Sequence, residues 1–110
     1  MRLFRRGRQA AAGTGATGRA VRGLDADVVA HLDAFATSRV GVEAYVEPEH
    51  HASPLTVVLV AQDGEWTRRR LTSPRDASQL GQRLGIPVYD VNATGYPARM
   101  RQWTARQRTR

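Results

Sequence analysis

The chain has no cysteine, which excludes disulfide staples, thiolate metal sites and thiol redox chemistry. Lysine is missing as well, so all 17 basic residues are arginine. Alongside abundant alanine, glycine and valine, this reads as the mutational bias of a GC-rich genome, and part of the arginine excess needs no functional explanation. No apolar run reaches the ~18 residues that a membrane-spanning helix requires. Met1 to Arg8 is basic like the start of a secretory or twin-arginine leader, but Gln9 to Gly18 is Ala, Gly and Thr and forms no apolar h-region. The expectation is a cytoplasmic protein without a membrane partner.

Acids are missing from both ends. Residues 1–23 hold six arginines (Arg2, Arg5, Arg6, Arg8, Arg19, Arg22) and no Asp or Glu. Residues 92–110 hold five (Arg99, Arg101, Arg106, Arg108, Arg110), again with no acid. Between them, six arginines face ten acids, so a slightly anionic body lies between cationic ends within a net charge of +7. Codon bias does not strip acids from termini. Such segregation marks segments that contact a polyanion or an acidic protein surface.

At 110 residues the chain holds one domain at most. Residues 1–23 lack hydrophobic periodicity and bury too little apolar surface to offset ordering entropy, so they read as a basic flexible arm. Residues 24–104 read as a single α+β domain and 105–110 as a basic tail. Leu24, Val28, Leu32 and Phe35 recur at helical spacing, with Asp25 or Asp27 placed to cap and Gly41 to stop. Val42, Ala44 and Val46 alternate with Glu43, Tyr45 and Glu47, a half-buried strand ended by Pro48. Leu55 to Ala61 is apolar on both faces and reads as a central strand. Asp63-Gly64 turns the chain into Glu65 to Leu71 as a hairpin partner. Ser73-Pro74-Arg75-Asp76 supplies an N-cap, a first-turn proline and an acid at the capping-box position. Ala77, Leu80 and Leu84 form that helix's stripe, and Gly85 ends it. Ile86 to Val91 is a fourth strand; after the turn Thr94-Gly95-Tyr96-Pro97, Tyr96, Met100 and Trp103 share one face of a last helix. The order α-β-β-β-α-β-α predicts a small mixed sheet of about four strands, a meander plus crossover helix and strand, with helices packed on one face.

Several strings invite a chemical reading. Gly13-Thr14-Gly15-Ala16-Thr17-Gly18 matches the dinucleotide fingerprint letter for letter. No strand delivers it to a helix N-terminus and no acid sits about twenty residues beyond the glycines in the right context, so it reads as a linker and no cofactor is expected. His50 and His51, with Glu47, Glu49 and His31, form the one cluster resembling metal ligands. Adjacent histidines in a loop point apart, no HxH or HxxxH spacing supports a first shell, and no metal is expected. His31 is placed to bond Asp27 one turn earlier. The serines lack a nucleophile-elbow context, and no catalytic residue is assigned.

The strand around Trp66 carries more. Alternation places Trp66, Arg68 and Arg70 on one face and Thr67, Arg69 and Leu71 on the other. An aromatic ring between guanidiniums suits base stacking and phosphate contact. The structural alternative is that Trp66 covers the edge of the core while the arginines pair with Glu43, Glu47 or Glu65. Docking of the last helix would leave Arg99, Arg101, Arg106 and Arg108 outward as a basic rim.

Val42 to Pro48, Thr56 to Arg70, Gly85 to Val91 and Gly95 to Met100 together resemble a family of short uncharacterised proteins from high-GC Gram-positive bacteria, over roughly residues 25–105. Some members carry an oxidoreductase label; the resemblance implies a compact cytoplasmic domain and transfers no catalytic residue. The leading expectation is a non-enzymatic accessory or binding module. It would contact nucleic acid through Arg2, Arg5, Arg6, Arg8, Trp66, Arg68, Arg70, Arg99, Arg101, Arg106 and Arg108. The alternative is a protein-interaction adaptor or homodimer using the sheet face, the Trp66 edge and the last helix.

Overall fold

A computed structural model describes residues 23–109. The arm's Arg2, Arg5, Arg6 and Arg8 and the glycine string at 13–18 lie outside them. Eight elements follow in order: α1 (Ala26–Ser38), β1 (Glu43–Glu47), β2 (Thr56–Val60), β3 (Trp66–Arg70), α2 (Pro74–Leu84), β4 (Val88–Asp90), the one-turn α3 (Val91–Thr94) and α4 (Ala98–Arg108). The sheet has strand order β3-β2-β1-β4. β1, β2 and β3 form an antiparallel meander. α2 then carries the chain across the sheet to β4, which pairs parallel to β1. The fold is therefore the α+β mixed sheet of four strands that the hydrophobic periodicity indicates.

The local signals act where the sequence places them. The Asp25 carboxylate caps α1 by accepting from the Asp27 N–H at 2.7 Å. The buried Asp76, 2% exposed, accepts three hydrogen bonds, from the Thr72 N–H and hydroxyl and from the Ser73 N–H. These occupy backbone donors that would otherwise be orphaned at the start of α2. Gly85 closes α2 in the left-handed region, and the N–H groups of Gly85 and Ile86 both donate to the Gly81 carbonyl. That closure explains why β4 begins at Val88 and not at Ile86. Ile86 still belongs to the helix cap, and Pro87 has no N–H for a ladder although its carbonyl accepts from the Ala44 N–H at 2.9 Å.

β2 is buried on both faces, and each face has its own cover. Val57 and Leu59 join Ala44, Ala61 and Leu71 beneath Val29, Leu32 and Phe35 of α1 and Ala77 and Leu80 of α2. Val58 and Val60 join Tyr45 on the other face, where Met100 of α4 packs with Trp66 partly covering the edge. Thus α1 and α2 share one face while α4 takes the opposite one. A central strand apolar on both sides needs a layer over each. α4 runs on through Arg108, past the boundary at 104 read from the sequence.

Candidate nucleic-acid interface

The hairpin that presents β3 is shaped by Gly64. Its φ of +97° lies in a region that side chains avoid, and a Cβ there would overlap the Arg99 carbonyl. The Asp63 carboxylate accepts from the Glu65 N–H at 2.9 Å, and the Ala61 N–H donates to the Glu65 carbonyl at 2.8 Å. The tight turn thus lets α4 cross close above the hairpin. β3 emerges from it as an edge strand.

On the α4 face of the sheet, cross-strand register aligns Glu43, Val60 and Trp66 in one row and Glu47, Thr56 and Arg70 in another. Glu47 is the polar centre of this face. It accepts both Nε and a terminal nitrogen of Arg68, at 2.7 and 2.9 Å, the Thr56 hydroxyl at 2.6 Å, and the hydroxyl of Tyr96. Burial pushes the Glu47 carboxyl up, but these hydrogen bonds from Arg68, Thr56 and Tyr96 outweigh it and hold the group at about 2 instead of 4.5. The Arg68 guanidinium also lies 5.1 Å from the Trp66 ring centroid. Trp66 is half-buried, and its indole N–H donates to the Thr104 hydroxyl of α4 at 2.9 Å.

α4 divides its arginines between two flanks. Arg99 donates to Glu43 at 2.7 Å and to the Ala61 carbonyl at 2.9 Å. One heptad on, Arg106 donates to the Asp63 carbonyl at 3.0 Å. This flank straps the helix to the hairpin. The Glu43 carboxyl is held below its usual range by the Arg99 hydrogen bond, against the opposing effect of burial, with a further hydrogen bond from Tyr45. The other flank is the line Arg101, Thr104, Arg108, three and four residues apart and therefore on one side of the helix. Thr104 meets Trp66, so this line runs beside β3. Arg101 and Arg108 are exposed and have no ion pair among the described residues.

On β3, Arg70 is likewise exposed and outside the ion pairs, since Glu47 is taken by Arg68. Arg69, on the opposite face, reaches the Thr67 hydroxyl and its neighbour's carbonyl among the described residues. The sequence-level set thus splits. Arg68, Arg99 and Arg106 are engaged by the protein's own acceptors, Trp66 is roofed by Arg68 and α4, and Arg70, Arg101 and Arg108 are exposed with no ion pair among the described residues.

Other candidates are dispersed. His31 does not bond Asp27; its Nε2 meets the Thr67 hydroxyl at 2.7 Å, because its position on α1 faces β3 and not the preceding turn. Burial first, then the Arg69 and Arg39 charges, lower the His31 pKa below 6.5. His50 and His51 pack ring against ring at 4.0 Å on an exposed loop, and no group of three metal-ligating side chains occurs among the described residues. Tyr96, expected on the buried stripe, is 40% exposed because Pro97 starts α4 after it and its hydroxyl is drawn to Glu47. Glu47's central role and Arg99's strap were missed in the sequence. The pairing of β3 arginines with Glu47 was visible there only as one of three alternatives, since β1 and β3 are separated by a strand.

A second surface lies at the other edge. Val88 and Tyr89 of β4 are 36% and 37% exposed. Beside them Val46, Ala77, Gly81 and Ile86 line an open groove of about 570 Å³. No helix among the described residues is long and apolar enough to cross a membrane. No protein-family model, curated protein or solved structure matches the chain.

Proposed function

We propose that this chain is a non-enzymatic accessory or binding module whose partner is nucleic acid. The observation that carries the reading is that Arg70, Arg101 and Arg108, on the α4 face of the sheet, are exposed and outside every ion pair among the described residues, while the neighbouring carboxylates Glu43 and Glu47 are already occupied. Guanidiniums without a protein acid remain available to phosphates, and each contact releases condensed counterions. The acid-free first 23 residues would add affinity of the same sequence-independent kind. Titration of labelled single-stranded RNA and duplex DNA at low and moderate salt tests it. Binding at low salt that weakens as salt rises is expected; its absence at low salt overturns the proposal.

A second reading, a protein-interaction module or homodimer, is favoured by the β4 edge, where Val88 and Tyr89 stand exposed and line the open groove with Val46 and Ile86, its rim carrying Ser78, Gln82 and Asp90. Light scattering across a concentration series distinguishes it, because a monomer at all concentrations counts against the homodimer. A pulldown with and without nuclease treatment separates nucleic-acid from protein partners.

A further inference from the structure

Among the described residues, the aromatic rings near the cations of the proposed interface are already engaged by protein groups, and this decides what kind of nucleic acid suits it. Modules that hold single strands pair a basic groove with aromatic rings on which bases stack. Trp103 of α4 is half-buried over the Gly64 turn, on the Arg99 flank and not the Arg101 flank, which leaves Trp66 as the ring on the β3 side among the described residues. The Arg68 guanidinium covers it at 5.1 Å, its N–H is bound to Thr104, and it helps to close the apolar layer under Met100. Tyr45 is buried. Tyr89 lies on β4, three strand spacings or about 14 Å from β3, and its ring is tilted on Tyr45 with centroids 5.4 Å apart. Tyr96 is tied through its hydroxyl to Glu47, the carboxylate that also holds Arg68 of β3, so its ring is fixed beside an arginine already engaged by the protein.

The cations, by contrast, sit on regular elements. Arg101 and Arg108 are seven residues apart on α4, roughly 10 Å along its axis. Arg70 stands at the far end of β3 from Trp66, roughly 13 Å along the strand. Charges spaced in this way lose little freedom when they meet phosphates that are themselves held in place, whereas a flexible strand must be ordered first. A duplex supplies such an array, with one phosphate per ~3.4 Å of each strand and a persistence length of ~50 nm.

We infer, building on the proposed nucleic-acid function, that the ligand of this face is a double helix gripped by its phosphates through Arg70, Arg101 and Arg108, with no base stacked or read. The full-length chain, titrated by fluorescence anisotropy with a 20-base-pair duplex and a 20-nucleotide single strand between 50 and 200 mM salt, tests this. The duplex is expected to bind tighter, and unrelated duplex sequences to bind alike. In the combined variant Arg70→Ala, Arg101→Ala, Arg108→Ala, the slope of log affinity against log salt is expected to fall by about 2 to 3, near 0.9 per lost phosphate contact. Across that salt range the wild type then loses about 40-fold more affinity than the variant does. The matching triple lysine variant is expected to retain the slope, because a phosphate contact needs charge more than fork geometry. Arg75→Ala, on α2, and Tyr96→Leu are expected to leave duplex binding unchanged. Duplex binding whose salt slope is the same in wild type and triple alanine variant overturns this face as the site while leaving nucleic-acid binding intact. Tighter binding to the single strand that Tyr96→Leu abolishes overturns the phosphate-only mode. Binding to neither probe at low salt overturns the functional reading itself.

Discussion

Glu47 shows how one residue joins three elements. Its carboxylate receives Arg68 from β3, Thr56 from β2 and Tyr96 from the segment leading into α4. Held at about 2 when folded against an ordinary 4.5, it releases its proton more readily in the native state. A depressed carboxylate pKa contributes stability that is fully present above 4.5 and is lost as pH falls toward 2. Glu43, lowered by Arg99, adds to the same acid-side loss. Replacing Glu47 by Gln is therefore expected to flatten the pH dependence of urea unfolding in that window without changing it near neutrality, where carboxylates stay ionised in both states. Glu47→Ala is expected to cost about 1–3 kcal/mol at pH 7, because Arg68 and Tyr96 lose their acceptor but stand near enough to water to regain solvation. At Asp76 three donors converge on one buried carboxylate. Asp76→Ala is expected to lower unfolding free energy by about 2 kcal/mol, measured by the same denaturation.

Among the three long helices, α4 has the least apolar attachment. Met100 is its only buried residue, and polar straps through Arg99, Arg106 and Thr104 supply the rest. Met100→Ala is expected to cost about 2 kcal/mol, the low end for a buried methionine, since the small cluster around Tyr45, Val58 and Val60 can partly collapse. Gly64→Ala acts from the other side of the same contact. Its φ of +97° and the approach of the Arg99 carbonyl make a Cβ incompatible with the docked helix, and a loss of about 2–3 kcal/mol is expected. Amide hydrogen exchange is the discriminating measurement: both substitutions should raise exchange in α4 and β3 before it rises in α1 or α2. The two sheet edges differ in kind. β3 ends the sheet with three consecutive arginines, a charged edge that resists pairing with other strands, whereas β4 ends it with three residues and exposed Val88 and Tyr89.

For the whole molecule, the charge segregation along the chain becomes a partial segregation in space. Most of the body's acids are taken by caps, turns and ion pairs: Asp25, Asp76 and Asp90 at helix starts, Asp63 in the hairpin turn, and Asp33, Glu43, Glu47 and Glu65 on arginines. The arginines left outside those pairs then define the outer potential of the β3–α4 side. A ligand that binds only the native state raises its stability in proportion to ligand concentration over Kd. Duplex DNA at saturating concentration is expected to raise the unfolding temperature at low salt and to lose that effect at high salt, measured by differential scanning fluorimetry. A shift that persists in high salt would mean that charge does not carry the interaction.

The elements were legible in the sequence because their causes are local. Leu32 and Phe35 at helical spacing, the Ser73-Pro74-Arg75-Asp76 start, Asp63-Gly64 and the two-sided apolar run of β2 each act within a few residues, through caps, turns and periodicity. The short β4, cut back by the cap at Gly85 and by Pro87, was legible only in existence and not in extent. The site was legible as an inventory of arginines but not as a geometry. Arg68 and Arg70 look equivalent on an alternating strand, and Arg99 and Arg106 look like Arg101 and Arg108 on a helix. Which of them meets a carboxylate or carbonyl depends on β1 lying two strands from β3 and on α4 crossing above Gly64. Charge composition, secondary structure and fold class follow from the sequence alone. The division between arginines that hold the protein together and arginines left for a ligand belongs to the tertiary structure, because ion pairing acts over a few ångströms between residues tens of positions apart.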